Sequence, residues 1–187
     1  MDRFATFLSN KLIKSGLDPN YREVYVYSIQ CILNTLLPFG ILILIGIIAK
    51  VPITTLIWIA AFLPLRHTAG GTHANSHLMC YFITIELGCV CIFFAYVFNV
   101  SLLLALILLA FSIAVIIKCA PVLHKNHPLS ETYISKARRQ SKYIVFTETV
   151  IVIILYYFKL YQYVNTVLFA MLTVSLSTLI GYLRSNH

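Results

Sequence analysis

Long apolar runs separated by short charged, polar or glycine-containing breaks set the pattern of this chain. Residues 24–49 carry no charge and are long enough to cross a bilayer with some tilt. Lys50 interrupts, and 51–65 forms a second run, short for a full crossing and closed by Pro64. Residues 67–78 are polar. A third run, 79–98, is broken only by Glu86, and a fourth, 100–117, follows the weak break at Asn99. A polar, basic segment fills 118–142. The fifth run is 143–158, with Glu148 inside it, and past Lys159 the sixth is 161–183. Ahead of them all, Phe4, Phe7, Leu8 and Leu12 recur at helical spacing, with Arg3, Lys11 and Lys14 towards the other side and Asp2 placed to cap. This predicts a short amphipathic helix within 1–23, lying in the membrane interface or packed on the protein itself. The whole pattern predicts an all-α, polytopic transmembrane bundle of about six membrane segments, the second of them short or re-entrant. Residues 1–187 read as a single membrane domain, without internal repeat, low-complexity tract or flexible linker.

Composition sharpens the class. The 187 residues are 60% hydrophobic and only 11% charged, where a soluble domain carries about twice that charged fraction. The apolar surface exceeds what one core can hide, so lipid has to cover the rest. The formal charge is +8, from 14 Lys and Arg against 6 Asp and Glu. These charges cluster at the ends of apolar runs, which fits anionic lipid head groups and topology control and argues against a nucleic-acid partner. With six crossings and the N-terminus inside, Arg3, Lys11, Lys14, Arg22, Arg66, Lys118, Lys125, Lys136, Arg138, Arg139, Lys142 and Arg184 fall inside, and only Lys50 and Lys159 outside. That asymmetry predicts cytoplasmic loops at 66–78 and 118–142. The charged first 23 residues and the length of the first run argue against a cleavable signal peptide. Cysteines 31, 80, 89, 91 and 119 are odd in number, and no disulfide framework is predicted. Four of them lie within or at the edges of apolar runs as small hydrophobes. Cys80 differs, standing where the polar stretch meets the third run.

The reactive side chains gather between Arg66 and Cys80. Gly70-Gly71 breaks the chain there and permits unusual backbone angles. With a helix starting near Thr72, residues His73, His77 and Cys80 stand at i, i+4 and i+7 on one face. A thiol needs a neighbouring base to act as a nucleophile at neutral pH, and a histidine within hydrogen-bond reach supplies one. Three readings stay open on spacing alone: a Cys–His nucleophilic pair acting on a peptide or acyl group, a metal site, or interfacial histidines beside an ordinary cysteine. The metal reading lacks a fourth ligand in this loop. Glu86 and Glu148 are intramembrane carboxylates and so secondary candidates. His124 and His127 read as a solvated turn. Lys136, Arg138, Arg139 and Lys142 form a basic face that serves either topology and lipid contact or the docking of an acidic peptide.

The pattern Arg66…Gly70-Gly71-Thr72-His73-Ala74…Cys80 resembles the signature of the AgrB family, the membrane cysteine endopeptidases of Gram-positive quorum-sensing systems. The stretch from Ala120-Pro121-Val122 through Asn126-His127-Pro128-Leu129 to the basic run resembles that family too, although the family often has Lys where this chain has His127. The resemblance implies a cytoplasmic active site in a bacterial cell membrane. It implies an AgrD-type precursor with an amphipathic helix and an acidic tail, cut through an acyl-enzyme and closed to a thiolactone. Cys80 matches the nucleophile and His73 the general base and acid; Arg66, Gly70 and Gly71 match supporting positions, and His77 has no assigned role. Neither metal nor other cofactor is expected, and a homodimer is implied. Asn75, Glu86 and Glu148 are candidates to orient His73. A peptide exporter or membrane chaperone without chemistry of its own is the competing reading.

Overall fold

An apolar run can shed water only if its backbone polar groups bond within the segment, so each run of this sequence becomes a helix. The computed structural model describes residues 2–72, 77–98, 100–122 and 130–185. Among these residues there are seven α-helices and no strand. They are α1 (Asp2–Lys14), α2 (Arg22–Ile48), α3 (Pro52–Ala69), α4 (His77–Val97), α5 (Leu102–Cys119), α6 (Glu131–Tyr157) and α7 (Tyr161–Ser185), with a 3-10 turn at Pro19–Tyr21 ahead of α2. The all-α expectation is met. Among the described residues four segments are long and apolar enough to cross a membrane: Pro19–Ile48, Met79–Val97, Leu102–Cys119 and Tyr161–Ser185.

Local chemistry accounts for the helix ends. Ser101 and Ser130 cap α5 and α6, their hydroxyls accepting from the N–H groups of Leu104 (3.4 Å) and Tyr133 (3.3 Å). Pro52 sits in the first turn of α3, where its missing N–H costs nothing. The two lysines that interrupt the apolar runs end α2 and α6 in the same way. Lys50 and Lys159 take left-handed angles (φ 61° and 59°). The next N–H then bonds back, from Val51 to the Gly46 carbonyl at 2.8 Å and from Leu160 to the Leu155 carbonyl at 3.0 Å.

Two sequence boundaries are corrected. Pro64 does not close the second run: α3 passes through it to Ala69, and the Thr68 hydroxyl bonds the Pro64 carbonyl at 3.1 Å. A proline removes one donor, which a helix in a packed bundle tolerates. The segment 118–142 is not all loop, because α5 extends to Cys119 and α6 begins at Glu131 behind its serine cap. The start of the helix before Cys80, expected near Thr72, falls among residues 73–76, outside the described residues. Thr72 is non-helical because its backbone groups are engaged elsewhere, as described below.

The helices alternate in direction. Gln162 at the start of α7 donates to Thr54 at the start of α3 (2.9 Å), and Asn165 donates to the Phe98 carbonyl just past α4 (2.6 Å). Thus α3 and α7 run parallel, and α4 runs against them. α7 is the centre of the bundle, touching α3, α4, α5 and α6, while α2 lies outside against α1, α3 and α4. Trp58 stacks on Phe62 at 4.5 Å, and Phe39 meets the Phe62 edge. Around them Leu42, Leu65, Val145, Leu168, Met171 and Val174 complete the core. Small polar side chains at helix contacts, such as the Ser175–Ser112 pair at 3.4 Å, add roughly 0.6 kcal/mol each. α1 buries Ala5 and Ser9 against α2 and leaves Phe4, Phe7 and Leu12 exposed. It therefore packs on the protein through small residues and keeps its large apolar ones outward.

Candidate active site

The last turn of α3 carries Arg66, just past the end of an apolar run. Gly70 then leaves the helix with φ 74°, and Gly71 follows with φ 140°. The Arg66 side chain folds back over this turn. Its Nη1 donates to the Gly70 carbonyl at 2.8 Å and to the Ser177 hydroxyl of α7 at 2.7 Å, while Nη2 donates to the Thr72 carbonyl. A Cβ at Gly71 would overlap the Arg66 guanidinium, so glycine is required there for space as well as for its angle. From α7, the Ser177 carbonyl accepts the Thr72 N–H at 3.3 Å. The Thr178 hydroxyl reaches the Gly70 carbonyl at 3.5 Å. From the end of α5, the Val122 N–H bonds the Ala69 carbonyl at 3.0 Å. Gly181 lets α7 come close, since a Cβ there would lie 3.1 Å from the Gly71 carbonyl carbon.

Burial pulls the pKa of Arg66 below its ordinary value, and the nearby Cys80 sulfur pushes the other way. Cys80 lies in the first turn of α4 as a free, half-buried thiol, and its carbonyl accepts from the Thr84 hydroxyl at 2.8 Å. His73, Ala74, Asn75 and Ser76 lie outside the described residues, and so does the side chain of His77. The predicted alignment of His73 with Cys80 falls there too. Thr72, the residue before His73, is the last described residue of the turn.

Arg66, Gly70 and Gly71 thus come together against α7, with Cys80 at the start of α4, while the remaining candidates scatter. Lys136 lines a groove of about 400 Å3 between α3 and α6, with Pro64, His67, Thr68, Tyr133 and Gln140. Arg138 and Lys142 point round the far side of α6, and Arg139 is exposed. Glu86 is exposed on α4. Glu148 is 5% exposed on α6, and neither of its carboxylate oxygens has a hydrogen-bond partner among the described residues. His124 and His127 lie outside the described residues. Among the described residues no three His, Cys, Asp or Glu side chains gather into a metal site. Sequence reasoning missed Ser177, Thr178 and Gly181. Their signal was faint: small residues on one stripe of the sixth run, near its basic end.

Comparison with known proteins then places the chain. The model of the family described as Accessory gene regulator B matches residues 2–179, nearly the whole chain. The chain belongs to the AgrB family. A curated relative, the Putative AgrB-like protein 2 of Clostridium perfringens (strain 13 / Type A), is 25% identical over 152 residues, covering 75% of this chain and 71% of the relative. No solved structure matches the chain. AgrB membership, with the four long apolar helices, makes this a membrane protein tied to autoinducer processing in accessory gene regulator systems. The AgrB match reaches residue 179, so Ser177 and Thr178 of α7 fall within it and Gly181 lies just beyond.

Proposed function

We propose that this chain is a membrane cysteine endopeptidase that cleaves an AgrD-like precursor peptide and promotes its cyclisation, with Cys80 as nucleophile and His73 as general base and acid. The observation that carries the proposal is the clamped turn Gly70–Thr72, in which Thr72, the residue before His73, is held by Arg66 and Ser177, with Cys80 a free thiol at the start of α4. His73 takes the Cys80 proton, and the thiolate adds to the carbonyl carbon of the scissile bond. The C–N bond breaks, the amine leaves with the proton held by His73, and the peptide remains on Cys80 as a thioester. A thiol of the same peptide then adds to that carbonyl, giving its proton to Cys80 through His73 as the ring closes. One thioester forms as another is lost, so the exchange is nearly balanced, and tethering supplies a high effective concentration.

The chemistry is assigned to the cytoplasmic face of the bacterial cell membrane, at the basic end of the bundle, and the protein is proposed to work as a homodimer in contact with lipid. Lys136, Arg138, Arg139 and Lys142 are proposed to attract the acidic tail of the precursor. The decisive experiment is mass spectrometry of the protein co-expressed with a precursor peptide. A covalent peptide adduct on Cys80 is expected, and Cys80→Ala should abolish both adduct and cleavage. A Cys80→Ala protein that still yields cut peptide sinks the mechanism. One that still moves intact peptide across the membrane points to an exporter.

A further inference from the structure

Thr72 has three polar groups, and each is engaged by the same two residues. Its carbonyl accepts from Arg66, its N–H donates to the Ser177 carbonyl at 3.3 Å, and its hydroxyl lies 3.2 Å from the Ser177 hydroxyl. The Ser177 hydroxyl accepts from Arg66 Nη1 at 2.7 Å, so its own proton is free to serve Thr72. Ser177 belongs to α7, the helix on which α3, α4, α5 and α6 pack. A turn held only by α3 would move with the end of that helix. One tied to Ser177 is referenced to the centre of the bundle, and Gly181 permits the approach.

We infer that Ser177 is a positioning residue: by bridging Arg66 and Thr72 it holds the Gly70–Thr72 turn from which the chain continues to His73, the proposed base for Cys80. The inference rests on the assignment of His73 and Cys80 as the reacting pair. His73 follows Thr72 directly in the chain, so a shift at Thr72 is passed on across a single peptide unit. A misplacement of about 1 Å at reacting groups costs on the order of a hundredfold in rate. Ser177→Ala removes one acceptor of a charged donor and leaves the Thr72 hydroxyl without this partner, while Ser177→Thr keeps the hydroxyl.

The test uses the full-length protein in lipid nanodiscs with a synthetic precursor peptide. It reads kcat and KM for cleavage, together with hydrogen–deuterium exchange of the segment containing Thr72. Ser177→Ala is expected to lower kcat by about tenfold or more, to leave KM within about twofold and to speed exchange at Thr72. Ser177→Thr should recover most of kcat. Ser175→Ala, which disturbs α7 at its contact with Ser112 instead, should keep both near wild type. Unchanged exchange in Ser177→Ala overturns the inference, as does faster exchange with kcat unaltered. An equal kcat loss in Ser175→Ala does so too, because the effect would then be general α7 packing. Cleavage that survives Cys80→Ala removes the underlying reading instead, and the exchange readout keeps the two failures apart.

Discussion

Gly71 shows how tightly one residue can be specified. Its φ of 140° lies where side chains are rarely tolerated, and an added Cβ would occupy the space of the Arg66 guanidinium. Gly71→Ala is therefore expected to displace Arg66 from the Gly70 and Thr72 carbonyls. The cost is about 1–3 kcal/mol for the backbone angle alone, seen as a lower melting temperature in detergent. Precursor cleavage should fall by at least tenfold, since roughly 1.4 kcal/mol of lost positioning is a factor of ten. Wild-type cleavage by Gly71→Ala would mean that the turn has no part in the chemistry. The glycine pair itself was legible in the sequence as a chain break. Its clamp was not, because Arg66 and Ser177 are 111 residues apart and nothing local to either names the other.

Among the elements, α6 changed most between pattern and structure. Its first three turns are polar and basic and read as loop, yet a serine cap and Glu131 in the first turn start a helix that continues into the apolar run. Helical geometry then divides the basic face. Lys136 lines the groove beside His67, while Arg138 and Lys142 turn away from it. Docking of an acidic peptide should follow that division. Lys136→Glu is expected to raise KM for the precursor several-fold, more at low salt than at high, with Arg138→Glu weaker. Equal effects of the two variants would assign the attraction to the general field of the basic end and not to the groove.

For the whole molecule, the alternating helices gather Arg66, Lys118, Lys136 and Arg184 at one end, and the Lys50 and Lys159 turns at the other. On the positive-inside argument, the first end is proposed to face the cytoplasm. Lys50→Cys and Lys159→Cys, made in a background lacking the native cysteines, should react with a membrane-impermeant maleimide added to intact cells. Ser185→Cys should react only after the cells are opened. Labelling of Ser185→Cys in intact cells would reverse the proposed orientation and move the candidate site to the outer face.

What the sequence alone determined are properties that depend on neighbours along the chain. Unbroken apolar runs have to become helices in lipid, lysines and glycines mark where those helices stop, and charge counting gathers the basic residues at one end. The residues of the AgrB signature were equally readable there. The tertiary structure decided what depends on partners across the bundle. All the runs are apolar, yet half of the α7 span is buried against 19% for α2, because α7 lies at the centre of the bundle and α2 at its edge. The same enclosure turns Ser177, Thr178 and Gly181 from unremarkable small residues into the wall that holds the Gly70–Thr72 turn. A hydroxyl in an apolar run shows its use only when the distant donor that needs it, here Arg66, has been brought within 2.7 Å.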